Sequence, residues 1–161
     1  MMIRHAIMSA ALMCVAGPVL AQTISESDAK QAATHVTQAF VDAYNAGKPA
    51  DIGAIFAADG VWLTPGGALL TDHAAITAAV AARIRAGWTK EAINVIEARP
   101  EGHDVLSLIS YELQGSGPNA GKQIGGYATI WLTPDGSNWH FKLLASNLKP
   151  VQDSAAPAAP K

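Results

Sequence analysis

Cysteine is nearly missing from this chain: Cys14 is the only one in 161 residues. An internal disulfide is therefore impossible, and stability must come from burial. Charge is also sparse, at 15% of residues, with a formal net charge of −2. The 11 Lys and Arg are scattered, so nothing suggests binding driven by neutralising nucleic-acid phosphates. No His-x-His or His-x-x-x-His pair occurs among the five histidines, which leaves a metal site little support. There is no nucleotide fingerprint, and Ser110 and Ser146 lack a nucleophile-elbow context. No cofactor is expected. Gly125-Gly126 resembles no phosphate loop and reads instead as a bend or bulge in a long strand. No internal repeat is visible. What is abundant is hydrophobic residues, half of the chain, enough for one packed domain and too many for wholesale disorder.

The two ends read differently from the middle. Arg4 followed by the uncharged, mostly apolar run Ala6–Leu20 and the small-x-small Val19-Leu20-Ala21 reads as a signal peptide, residues 1–21, cleaved after Ala21. The run is shorter than the roughly 20 residues a membrane span needs, and Gly17-Pro18 breaks it. Met13 directly before Cys14 departs from the lipoprotein pattern. The expected location is periplasmic or secreted, with no membrane attachment after cleavage. Cleavage removes Cys14 and Arg4, leaving a thiol-free chain one unit more acidic. At the other end, residues 151–161 form an Ala/Pro tail expected to be disordered. The domain is bounded at 22–150.

Within it, helices precede strands. Ala29, Ala32, Ala33, Val36, Phe40, Ala43 and Tyr44 recur at helical spacing. Ser25 or Ser27 can cap the start, and Gly47 can close the end. His35 falls on the polar side. Pro49, Ile52, Ile55 and Phe56 give a short second helix, with Asp59 expected at its end. Gly60–Thr64 reads as a short strand stopped by Pro65-Gly66-Gly67, and Thr71 or Asp72 caps a third helix carrying Ile76, Val80 and Ile84. After Trp88 the period changes to two. Ala92–Ala98, Val105–Gln114, Gln123–Thr133 and Trp139–Leu148 read as four strands joined by short turns, which implies antiparallel pairing. The fold class is α+β, with three N-terminal helices packed on an antiparallel sheet. Ile124, Ala128, Ile130 and Leu132 face one way, and Tyr127, Thr129 and Trp131 the other. A sheet apolar on both sides needs two coverings: the helices for one, a second subunit for the other.

This order of elements resembles the NTF2-like superfamily, in particular its SnoaL-like and DUF4440-type bacterial members. The residues carrying it are Phe40 to Gly47, Asp51 to Pro65, Asp72 to Ile76 and the late Trp139-His-Phe141. The resemblance implies a cone: a bent sheet wrapping the long helix around a deep pocket, commonly dimerised through its outer face. It also implies where ketosteroid isomerases of this superfamily keep their chemistry. The base position before the proline is Thr64, the oxyanion tyrosine position is Phe40, and the second acid falls near Ala128 or Thr129. None can act as a general base near neutral pH, so isomerisation of that type is excluded.

Two functions remain open. One is an exported module binding a small apolar or amphipathic molecule in an aromatic pocket, with Tyr44, Trp62, Trp88, Tyr111, Tyr127, Trp131 and Asn147 as candidate lining residues. The other is a metal-independent SnoaL-like enzyme (isomerase, dehydratase or hydrolase in type) whose candidate proton carriers are His73, Asp72 and Tyr44. His103 is expected in a turn, and His140 outward if Trp139 and Phe141 face the core.

Overall fold

The computed structural model describes residues 24–149. The expected signal peptide at 1–21, the expected tail at 151–161 and the outer limits of the expected 22–150 domain lie outside the described residues.

The first helix, α1 (Glu26–Asn45), starts where Ser25 Oγ accepts the Asp28 N–H and ends at Ala46. Gly47 follows at φ 68° with its N–H on the Tyr44 carbonyl, a left-handed position that glycine takes without strain. One face of α1, from Ala29 to Tyr44, is buried. The next helix, α2 (Pro49–Ile55), is shorter than expected, because Phe56 is already extended and opens β1 (Phe56–Leu63). Asp59 therefore lies in a strand, exposed, rather than at a helix end. The strand is irregular: between Phe56 and Val61 it slips against its neighbour. Leu69–Leu70 adds a two-residue strand, β2, that the sequence reading lacked. The third helix, α3 (His73–Arg85), is capped by Asp72, whose Oδ1 accepts the Ala75 N–H at 2.7 Å. It buries Ile76 and Val80.

Four long strands follow: β3 (Trp88–Glu101), β4 (Asp104–Gly115), β5 (Gln123–Asp135) and β6 (Asn138–Ser146). The sheet order is β2-β1-β6-β5-β4-β3. Pairing is antiparallel from β3 through β6, as their short turns require. The expectation of a wholly antiparallel sheet needs one correction, since β1 pairs parallel with β6. The sheet is thus mixed, curved and open, with three helices on its inner face. That face supplies Val105, Ile109, Tyr111, Leu113, Ala128, Ile130, Leu132, Phe141 and Leu144 to the core. Phe40 of α1 and Phe56 of β1 meet Phe141 at ring-centre distances of 5.9 and 5.2 Å.

Gly125-Gly126 marks no bulge. The β4–β5 register runs unbroken past both. A side chain on Gly126 would instead be driven into the Asn147 carbonyl, where the chain leaving β6 runs on beside β5.

Candidate functional site

Between α1, α3 and the inner sheet face lies a cavity lined by both apolar and polar residues. Phe40, Ile93, Ile109, Ala128, Phe141 and Leu144 form its apolar wall. Trp62, Arg83, Glu91, Tyr111 and Ser146 complete it. The space is narrow. About 20 Å³ is open to the centre of a water molecule, within roughly 360 Å³ of unfilled space that runs out to solvent. One or two waters fit as the side chains stand.

Glu91 is the unusual member. It is 5% exposed, and its Oε2 is buried without a hydrogen-bond partner among the described residues. Burial disfavours its charged form and pushes its pKa from 4.5 up to about 7, against the opposing pull of the Arg83 guanidinium. The local backbone explains why a glutamate sits here. Lys90 is in the left-handed region at φ 50°, and the β3–β4 register shifts between Thr89 and Ala92. Asn45, the last residue of α1, fastens the kink. Its Nδ2 donates to the Glu91 carbonyl at 2.9 Å, and its Oδ1 accepts the Glu91 N–H at 2.7 Å. From Glu91 onward the alternation puts Glu91, Ile93 and Val95 inward.

The other polar groups of the cavity divide into occupied and available. The Tyr111 hydroxyl donates to the Asn147 carbonyl at 2.6 Å. The Trp62 indole donates to Ser146 Oγ at 3.0 Å, and that hydroxyl donates to the Leu63 carbonyl at 3.3 Å. Arg83 lies over the Trp62 ring, 5.4 Å from its centre. Among the described residues its guanidinium has no carboxylate at ion-pair distance; the pairs are Lys48–Asp51, Arg99–Glu101 and Lys142–Asp104. Burial raises the Tyr111 hydroxyl pKa. The Arg83 charge lowers it and the Glu91 charge raises it.

Of the sequence candidates, Trp62 and Tyr111 line this cavity. Tyr44 is buried beside Phe40, and its hydroxyl donates to the Trp88 carbonyl at 2.9 Å. Burial, then the Glu91 charge, push that hydroxyl well above the ordinary tyrosine range, which deprives it of acid–base use near neutral pH. Trp88 is half-buried against the core at the start of β3. Tyr127 and Trp131 alternate with the buried Ala128, Ile130 and Leu132, so they point to the outer face. There the Trp131 indole donates to Asp104 at 2.7 Å, and Lys149 stands 4.4 Å over Tyr127. Asn147 is exposed beyond β6, and its side-chain oxygen accepts the Tyr127 N–H at 3.0 Å.

Asp72 is committed to capping α3, and the exposed His73 places Nε2 2.9 Å from the Ala57 carbonyl. Neither lines the cavity. Trp139 packs against the core and Phe141 is buried in it. His140, between them, carries a buried Nδ1 without a partner among the described residues. Among those residues no three of His, Cys, Asp and Glu are placed to hold a metal ion, and no helix is long and apolar enough to cross a membrane. The isomerase-like positions Thr64, Phe40 and Ala128 or Thr129 supply no acid, but Glu91, which the sequence reading did not single out, lies in the cavity wall.

Comparison with known proteins adds a family and a fold. The model of a family described as SnoaL-like domain matches residues 37–140. No curated protein matches the chain. Among solved structures, a protein with a cystatin-like fold from Caulobacter vibrioides is similar at TM-score 0.65 and 18% identity, covering 76% of this chain and 91% of that one. A domain of unknown function with a cystatin-like fold from Nostoc punctiforme gives 0.65 and 16%, covering 80% and 82%. A ketosteroid isomerase-like protein from Erwinia carotovora atroseptica gives 0.64 and 12%, covering 74% and 96%. At these identities the likeness is one of fold.

Proposed function

Since the chain belongs to the SnoaL-like domain family of the NTF2-like superfamily, we propose that it works by holding a small, mostly apolar molecule in the cavity beside Glu91. One observation carries this reading: Glu91 Oε2 is buried, unpartnered and set in a largely apolar wall. A carboxyl removed from water without a partner is costly. A ligand offering one polar group recovers that cost, while its body fills the apolar space. Anything beyond a few heavy atoms enters only as the lining side chains move apart. The reading includes export, on the strength of the Met1–Ala21 pattern, and a second copy covering the outer sheet face.

The test is a thermal-shift screen with small aliphatic and aromatic alcohols, ketones and acids. At least one class raises the melting temperature, and Glu91→Leu removes that rise. A flat response across the whole panel would remove the reading.

A second reading, a metal-independent acid–base enzyme, draws on the same residue. A carboxyl with a pKa near 7 can both accept and give a proton at neutral pH. On that reading the proton carrier is Glu91 rather than His73, Asp72 or Tyr44. The rate would show a limb near pH 7 that Glu91→Gln abolishes; undiminished turnover in that variant would exclude it.

A further inference from the structure

Resting on the cavity reading above, we infer that the ligand is an anion: a small monocarboxylate with a slender apolar body, its head group set between Arg83 and Glu91. The argument is one of elimination among the cavity's polar groups. Tyr111 and Trp62 have already spent their donors, on Asn147 and Ser146, and Ser146 has spent its own on Leu63. Among the described residues two groups of the lining have no hydrogen-bond or ion-pair partner: the Arg83 guanidinium, which only overlies the Trp62 ring, and Glu91 Oε2. Both line the same narrow space.

The ligand's charge follows from what each choice leaves behind. A cationic head group would stand beside Arg83, like charge against like in a partly desolvated site. A neutral ligand would close the space around a guanidinium that, among the described residues, has no carboxylate at ion-pair distance. A carboxylate offers two oxygens: one accepts from the guanidinium, the other from Glu91 in its protonated form. The remaining wall is Phe40, Ile93, Ile109, Ala128, Phe141 and Leu144, which suits an unbranched or flat hydrocarbon body and no second polar group.

The arrangement also makes binding sensitive to pH, because only protonated Glu91 donates. The groups facing Glu91 are Arg83 from α3, Tyr44 from α1 and Tyr111 from β4. Both tyrosines are shifted upward, away from neutral pH, and arginine stays charged. Glu91 is therefore the group that titrates. Affinity for a carboxylate falls as pH rises through the range where Glu91 ionises.

The experiment titrates three matched probes, hexanoate, 1-hexanol and hexylamine, onto the full chain by calorimetry at about pH 6 and about pH 8. Hexanoate is expected to bind about tenfold or more tightly than the other two at the lower pH, and to weaken at the higher. Arg83→Met removes the preference for hexanoate while 1-hexanol binding is kept. Glu91→Gln keeps hexanoate binding, since an amide N–H still donates, but loses its pH dependence. If 1-hexanol or hexylamine binds as well as hexanoate to the unaltered chain, the anion proposal falls and the cavity reading stands. If none of the three binds, the anion proposal falls, and the wider thermal-shift panel decides the cavity reading separately. The ranking of probes on the unaltered chain decides the matter even where a variant folds poorly.

Discussion

Glu91, in the wall of the candidate site, also makes stability depend on pH. Its carboxyl ionises near pH 4.5 when solvated and about pH 7 in the fold. Between these values the folded chain holds a proton that the unfolded chain has released. Stability from the neutral form is complete below about 4.5 and is lost as pH rises through 7. The window of 4.5 to about 7 corresponds to roughly 3 kcal/mol at most, by the usual conversion of pKa shift to free energy. Glu91→Gln is permanently neutral and nearly the same size. Urea denaturation of both proteins across this range should give curves that converge near pH 4.5 and separate above it, the variant being more stable at pH 8. Parallel curves would mean that Glu91 is not desolvated in solution.

At the scale of elements, the site is made by a junction rather than by any one strand. The end of α1 meets the start of β3 through Asn45, which satisfies both backbone groups of Glu91. Asn45→Ala leaves that N–H and carbonyl without their partners at a kink already held at φ 50° by Lys90. A loss of about 1–3 kcal/mol is expected, measured as a lower denaturation midpoint, and Glu91 should ionise at lower pH as water reaches it. Asn45→Asp keeps the acceptor and loses the donor, and should fall between. This junction also explains what was legible in the sequence and what was not. The helices carry their own signals: apolar spacing from Ala29 to Tyr44, Ser25 and Asp72 as caps, Ile76 and Val80 one turn apart. Strands β4 to β6 show in their alternation. Glu91 was in phase with Ile93 and Val95, which is the signal that could have found it. It was hidden because Thr89-Lys90-Glu91 is polar throughout, and the kink that turns it inward is fixed by Asn45, far away in sequence. The parallel β1–β6 seam was hidden for a similar reason, since β1 pairs with a strand from the other end of the domain and that partner is chosen by tertiary packing, not by a local signal.

At the scale of the whole molecule, the sheet is apolar on both sides but the helices cover one. The outer face carries Leu106, Thr129, Trp131, Leu143 and Ala145 half-buried, with Leu108 38%, Leu63 40% and Tyr127 43% exposed. Leu63, Leu108, Tyr127, Ala145 and Asn147 together line a groove on this side. Apolar area left in water forgoes about 25 cal/mol per Å², and a stable interface needs roughly 800 Å² from each partner. The second copy proposed above suits this face, because a two-fold contact lays the same strands against each other. Light scattering on the full chain should give twice the monomer mass. In a two-fold interface any substitution appears twice, so Leu108→Arg with Tyr127→Arg brings four like charges together at its centre. That variant should run as a monomer and keep its far-ultraviolet circular dichroism, since neither side chain is in the core. It should also keep its hexanoate affinity, because Glu91 and Arg83 lie on the opposite face of the sheet. A wild-type chain that scatters as a monomer at micromolar concentration would leave this face without the partner assigned to it, and the cavity chemistry untouched.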